Sequence, residues 1–216
     1  MALNQGNQGQ TGKLVGQNVV ASFGEVGDTL VSELAPKYYE LAYRGQGFFA
    51  AATNQTATAY TGGAGGTPIL AIWNPAQTGK NLVLAQAMMN VYTQASAAGL
   101  TSFQLFVGPT AAITQATVTS GISTLSGIGA GGGSVGRVFT NVALTSSSAL
   151  TYFTTIGSYY WATAAASNVI SPCVFDCGGS IIVPPGSALA LAATVASATM
   201  TGLKVDASLV WYEIPV

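Results

Sequence analysis

The sequence predicts an all-β chain, a jelly-roll-like antiparallel β-sandwich with an extended N-terminal arm and one short helix. Three observations carry this expectation. After residue 46 the apolar residues recur with period two, in runs bounded by Gly, Pro and Asn. Ten or so such runs follow one another with turn signals every 8 to 15 residues, the spacing of a sandwich or jelly roll. No stretch reads as the crossover helix that a parallel sheet requires, and no fixed repeat period marks a solenoid.

The composition divides the chain into an arm with a helix, residues 1–45, and a sandwich, residues 46–216. Residues 1–28 are rich in Gly, Gln and Asn and poor in large apolar groups, which predicts an extended or partly ordered arm. The predicted helix runs from Thr29 to Tyr43. Pro36 either breaks it into two short turns or opens the second one.

In the sandwich, Phe48–Thr53 and Gln55–Thr61 read as two short strands, followed by a Gly-rich connection. Pro68–Trp73 is the next strand, stopped by Asn74-Pro75 and turned by Gln77-Thr78-Gly79-Lys80. In the long segment Asn81–Ala95, Val83, Ala85, Ala87, Met89 and Val91 share one predicted face. Thr101–Val107 alternates, and Gly121–Gly136 reads as a flexible Gly/Ser loop. Arg137–Leu144, Thr151–Ile156 and Tyr159–Ala164 are further strands, and Val169–Phe175 leads to Cys173 and Cys177. Ser180–Val183 and Ser187–Val195 read as a hairpin around Pro184-Pro185-Gly186. The last strand, Leu203–Ile214, places Leu203, Val205, Ala207, Leu209 and Trp211 on one face.

Charge is the unusual quantity. The 216 residues carry six bases and seven acids, 6% in all, where a soluble domain has about 25%. The net charge of −1 offers no phosphate-neutralising surface, so no nucleic acid is expected as a partner. A hydrophobic share of 49% and a mean hydropathy of +0.45 exclude a disordered polyampholyte. Histidine is absent, which removes Ser-His-Asp, Cys-His and His-metal chemistry. The best apolar run, Ala188–Met200, is interrupted by Thr194, Ser197 and Thr199 and is short of the ~20 residues of a spanning helix, so no membrane is expected. The first ten residues lack the apolar segment of a signal peptide, so synthesis and folding in the cytoplasm are expected. So few charges make a free monomer poorly soluble, and burial against partners removes that difficulty.

Chemical motifs are sparse. Asn74–Asn81 contains a Gly-Lys pair but lacks the first Gly and the final Ser or Thr of a phosphate loop, so it reads as a turn. Gly127-Ile128-Gly129-Ala130-Gly131-Gly132 matches a dinucleotide pattern literally, but it follows no buried strand and has no acid about 20 residues on. Asn54-Gln55-Thr56 fits a glycosylation acceptor, which carries no meaning without secretion. Cys173 and Cys177 are read as buried free thiols, as a disulfide formed in a mature particle, or as metal ligands lacking companions. Asp176, Asp206 and Glu213 read as turn and edge acids, with a glycosidase pair between Asp176 and either of the others as the enzymatic alternative. No catalytic, cofactor or metal residue is therefore assigned. Two aromatic clusters are the candidate interface: Tyr38, Tyr39, Tyr43, Phe48 and Phe49, and then Tyr159, Tyr160 and Trp161. The alternative for the first set is that it pins the arm to the sandwich, and the alternatives for the second are core packing or a sugar-stacking platform.

The segment from Tyr39 through Arg44-Gly45 to Phe48-Phe49 resembles the start of a family of bacteriophage virion proteins. So does Leu70–Leu84, with its Trp73-Asn74-Pro75 strand end and Gly79-Lys80 turn. Gln46 and Gly47 here separate the Arg-Gly pair from Phe48. The Pro184-Pro185-Gly186 turn and the Val210-Trp211-Tyr212-Glu213 strand look like the ends of viral jelly rolls. The resemblance covers roughly residues 39–95 and 180–216. It implies a non-enzymatic subunit located in the virion and assembled in the host cytoplasm. The expected role is a capsid decoration or cement protein, a homo-oligomer (a trimer of jelly rolls) bound to the major capsid protein or other virion proteins. The alternative is a tail or fibre component involved in host attachment.

Overall fold

A computed structural model describes residues 41–42, 44–57, 59–60, 67–93, 99–108, 125–126, 133–141, 150–161, 172–195 and 202–216. The predicted arm and all but the end of the predicted helix lie outside the described residues. Leu41 and Ala42 are helical, and the chain then turns at Gly45 with φ 69°. Gly45 N–H donates to the Ala42 carbonyl and Gln46 N–H to the Leu41 carbonyl, both at 2.9 Å. These two bonds and the left-handed glycine form a Schellman cap, which is why Arg44-Gly45 stands where helix gives way to strand.

The strands are β1 (Gly47–Thr56), β2 (Leu70–Trp73), β3 (Lys80–Thr93), β4 (Gly99–Val107), β5 (Leu125–Ser126), β6 (Arg137–Phe139), β7 (Thr151–Trp161), β8 (Cys173–Val183), β9 (Ala188–Val195) and β10 (Lys204–Pro215). They form two five-stranded sheets, ordered β5-β1-β10-β3-β8 and β6-β2-β9-β4-β7. Every ladder is antiparallel. Setting aside the short β5 and β6, the pairing is nested: β1 pairs with β10, β2 with β9, β3 with β8, and β4 with β7. The ladders β3·β10 and β4·β9 then join these pairs side by side into the two sheets.

Alternation explains which residues meet between the sheets. On β10 Val205, Ala207, Leu209 and Trp211 are buried, while Lys204, Asp206, Ser208 and Val210 between them are only partly so. Trp211 stacks on Phe48 of β1 with ring centroids 6.2 Å apart, and Ile72, Leu84, Met89, Phe103 and Leu105 fill the same core. On β9, Leu189, Leu191 and Ala193 face this core, whereas Ala188, Ala190 and Ala192 lie under a second cluster of Tyr60, Phe106, Phe139 and Leu150. Burial on both faces is why this strand is apolar throughout.

Several sequence expectations are corrected. Phe48–Thr53 and Gln55–Thr61 are one strand through Thr56, because Asn54 adopts φ 54° at a bulge and lets the pairing with β10 resume at Gln55. Thr151–Ile156 and Tyr159–Ala164 are likewise one strand through Trp161. On β3, Leu84 pairs with Trp211 and Gln86 with Val210, so Ala85 is an extra residue that switches the strand's parity. Leu82 and Leu84, rather than Val83, share the core with Ala87, Met89 and Val91. On β8 the residues opposite Leu84 and Gln86 are Ile181 and Asp176, so Cys177–Ser180 form a bulge within a single strand. Gly178 and Gly179 take positive φ there. The predicted hairpin is a sheet crossing: β8 pairs with β3 and β9 with β2 and β4, so Pro184-Pro185-Gly186 carries the chain from one sheet to the other. Within the predicted flexible loop, Leu125–Ser126 pairs with β1, and Ser134–Gly136 bonds to β10.

Candidate interaction surface

The predicted aromatic residues divide by sheet. Tyr38, Tyr39 and Tyr43 lie outside the described residues. Phe48 points between the sheets, 5% exposed, and presents no surface to a partner. Its neighbour Phe49 points the other way and is 39% exposed. Tyr159 is half-buried and packs against the core from β7, while Tyr160 is 66% exposed. Trp161 ends β7, its backbone opposite Gly99. The β1 and β7 aromatics therefore do not form one patch, since the two strands belong to different sheets.

The structure adds exposed aromatics that the sequence reading did not single out. Tyr152 and Phe153, on β7, are 51% and 50% exposed, and Leu100 on β4 lies beside Tyr160 in the ladder. Tyr152 is held in place: its hydroxyl is 3.0 Å from Thr155 Oγ1 and its ring meets Phe106 edge-on, with centroids 6.0 Å apart. Phe106 is fixed in turn by Tyr60, at 4.9 Å and nearly perpendicular. Between the tyrosines, Ser102 and Ser158 share a hydrogen bond of 3.0 Å across the β4·β7 ladder. The extra residues Phe153 and Ile156 on β7, which have no partner on β4, disguise this face in the sequence.

Charge is unequally shared. Strands β2, β4, β7 and β9 contain no charged residue, and their sheet carries only Arg137, on short β6. Lys80, Asp176, Lys204, Asp206 and Glu213 all belong to the other sheet. The acids there hold backbone. Asp206 Oδ1 accepts Asn54 N–H at 2.8 Å and closes the β1 bulge. Asp176 Oδ1 accepts Gly178 N–H at 2.9 Å and shapes the β8 bulge. Glu213, predicted as an edge acid, is fully buried. It accepts Lys80 Nζ at 2.9 Å, Ser134 Oγ at 2.6 Å and Val135 N–H at 2.8 Å. These bonds tie the segment before β6 to the end of β10. Asp176 stands opposite Gln86 of β3, which in turn pairs with Val210, so β3 lies between Asp176 and the strand that carries Asp206 and Glu213.

Cys173 and Cys177 are free thiols on β8. Burial raises the Cys173 thiol. Burial, and then the charge of Asp176, push the Cys177 thiol up to about 11. Cys173 Sγ fills the space where a side chain on Gly157 would stand, which brings β8 close against β7. Among the described residues, no group of three or more Cys, Asp or Glu is placed to hold a metal ion, and no helix is long and apolar enough to cross a membrane.

What the site offers is a neutral, aromatic strip along β7 and the adjoining edge of β4. No protein family, curated protein or solved structure was found to match this chain.

Proposed function

We propose that this chain is a non-enzymatic structural subunit of a bacteriophage particle, a decoration or cement protein built on a jelly roll. The observation that carries the reading is the run of uncharged strands β2, β9, β4 and β7, edged by exposed tyrosines, in a chain that is 6% charged. A neutral face gains little from contact with water and docks on another neutral face without desolvating ions. The nested strand pairing supports the jelly-roll reading, since rolling one long antiparallel hairpin into two layers pairs the first strand with the last and the second with the next to last. The acids are committed to backbone, which fits a scaffold better than acid–base catalysis. In this role, copies of the chain dock onto the head shell and onto one another, and the shell's major protein is the neighbour.

The test is binding to empty shells of the phage that encodes the chain. The purified protein is expected to cosediment with shells in numbers comparable to the shell's own subunits, and to raise their resistance to heat. Failure to bind, together with equal heat resistance of particles lacking the protein, overturns the proposal. A copy number at the level of tail components moves the chain to the tail.

A further inference from the structure

The β7 strip has a property beyond neutrality: it reads nearly the same from either end. Around Ile156 the order is Tyr152-Phe153, Thr154-Thr155, then Gly157-Ser158, Tyr159-Tyr160. Of these, Tyr152, Phe153, Thr155, Ser158 and Tyr160 are exposed, while Ile156 and Tyr159 pack against the core, so on the exposed face a tyrosine closes each end and hydroxylated residues fill the middle. A two-fold interface requires such self-complementarity, because residue i of one copy meets residue j of the other while j meets i. We propose that the occupant of this strip is a second copy of the same chain. The two β7 strands run antiparallel about an axis near Ile156, so that Tyr152 of each copy meets Tyr160 of the other. The inference rests on the reading of the chain as a self-associating subunit and names the surface and symmetry of that association.

Three observations favour a copy of this chain over a different partner. Strands β4 and β7 carry no charge, so a charged partner finds no complement there, while a copy brings an equally neutral face. Among the described residues, β7 is the edge of its sheet, and it spans 11 residues with no Lys, Pro or acid, the devices that normally keep edges apart. Tyr152 is already fixed by Phe106 and Thr155, so little side-chain freedom is lost when it becomes a contact. The extra residues at Phe153 and Ile156 interrupt the regular edge. The contact is therefore made by side chains, tyrosine on tyrosine with the Thr/Ser centre between, and not by a continuous sheet across the axis.

The experiment is sedimentation equilibrium on the full chain, with Tyr160→Lys and Tyr152→Glu as variants and Ile182→Lys, an exposed site on the other sheet, as control. The wild type and the control are expected to form pairs. Each variant alone is expected to associate about tenfold or more weakly while keeping a native circular dichroism spectrum. Mixing the two variants is expected to restore pairs, because one contact becomes Lys opposite Glu and the other stays Tyr opposite Tyr. A wild type that remains single, a Tyr160→Lys chain that associates like wild type, a three-chain mass, an Ile182→Lys chain that falls apart, or a mixture that stays apart overturns the proposal. Shell binding measured on the same samples separates the two readings: shells bound by single chains refute the pairing and leave the decoration role standing.

Discussion

Single residues set the conditions under which this sandwich is stable. Cys177 and Tyr60 are both buried, and both resist ionisation: the thiol is pushed up to about 11 and the phenol to about 12, mainly by desolvation. In the unfolded chain these groups release their protons near 9 and 10. Between the unfolded and folded values, the unfolded state binds fewer protons than the native one, so stability falls as pH rises. The contribution of Cys177 is complete below about pH 9 and is lost as pH rises toward 11. Tyr60 adds a second decline between 10 and 12. Urea unfolding followed upward from about pH 8 is expected to show a loss of about 2–3 kcal/mol by the end of the first window. Cys177→Ala is expected to flatten that first decline, whatever it does to stability at neutral pH. An unchanged slope in the variant refutes the assignment. The buried Glu213 works differently, since its donors Lys80, Ser134 and Val135 come from separate segments and make it a joint between them.

At the scale of elements, the least ordinary joint is Asn74, which follows β2 and is fully buried. Its Nδ2 donates to the Lys80 carbonyl at 2.8 Å and to the Val183 carbonyl at 2.9 Å, and its Oδ1 accepts Thr78 Oγ1 at 2.8 Å. Its backbone N–H donates to the Ser187 carbonyl at 2.9 Å, and its own carbonyl accepts Gly186 N–H at 2.8 Å. One side chain thus clamps two sheet crossings, from β2 to β3 and from β8 to β9. Asn74→Ala strands two carbonyls and is expected to cost about 2–4 kcal/mol by urea unfolding. Asn74→Asp replaces the donor with an acceptor and is expected to cost at least as much. An aspartate variant within about 0.5 kcal/mol of wild type refutes this account. The Trp73-Asn74-Pro75 sequence was legible as a strand end, but its role as a clamp was not, because the partners at Val183 and Ser187 are distant in the chain. The same limit governs the other elements. Alternation located β9 and β10 almost to the residue. It failed at Asn54, Ala85 and Cys177–Ser180, where extra residues change the parity that alternation depends on. The Pro184-Pro185-Gly186 signal encodes a reversal of direction and is silent about which sheet the next strand joins. On the candidate surface, Phe49 and Tyr160, named from sequence as candidate interface residues, are exposed, Phe48 lies in the core, and Tyr152 and Phe153 were hidden by the irregular pairing of β7.

For the whole molecule the governing feature is how its few charges are shared. Arg137 is the only charge on the strands of one sheet, and the other holds Lys80, Asp176, Lys204, Asp206 and Glu213. Lys80 and Glu213 are spent on each other, and Asp206 and Asp176 on bulges. A surface of this kind cannot steer a partner over long distances, because steering requires a net field. The strands of the neutral sheet, with Arg137 as their one charge, also leave almost nothing for salt to screen. The Debye length shrinks from about 10 Å at 0.1 M to about 3 Å at 1 M, which weakens exposed ion pairs but leaves apolar and tyrosine contacts alone. Association between copies, and docking on a shell, should therefore be no weaker at about 1 M salt than at about 0.1 M. Apolar burial is, if anything, reinforced by salts excluded from protein surfaces. Sedimentation equilibrium across that range measures the point directly. A contact that loosened tenfold or so over it would need ion pairs, and the strands of the neutral sheet supply none apart from Arg137. Such a result would shift the interface to charges off the neutral sheet, those around Asp176, Lys204 and Asp206 or those before residue 46. Salt dependence thus reports whether the neutral sheet is the face that meets other molecules.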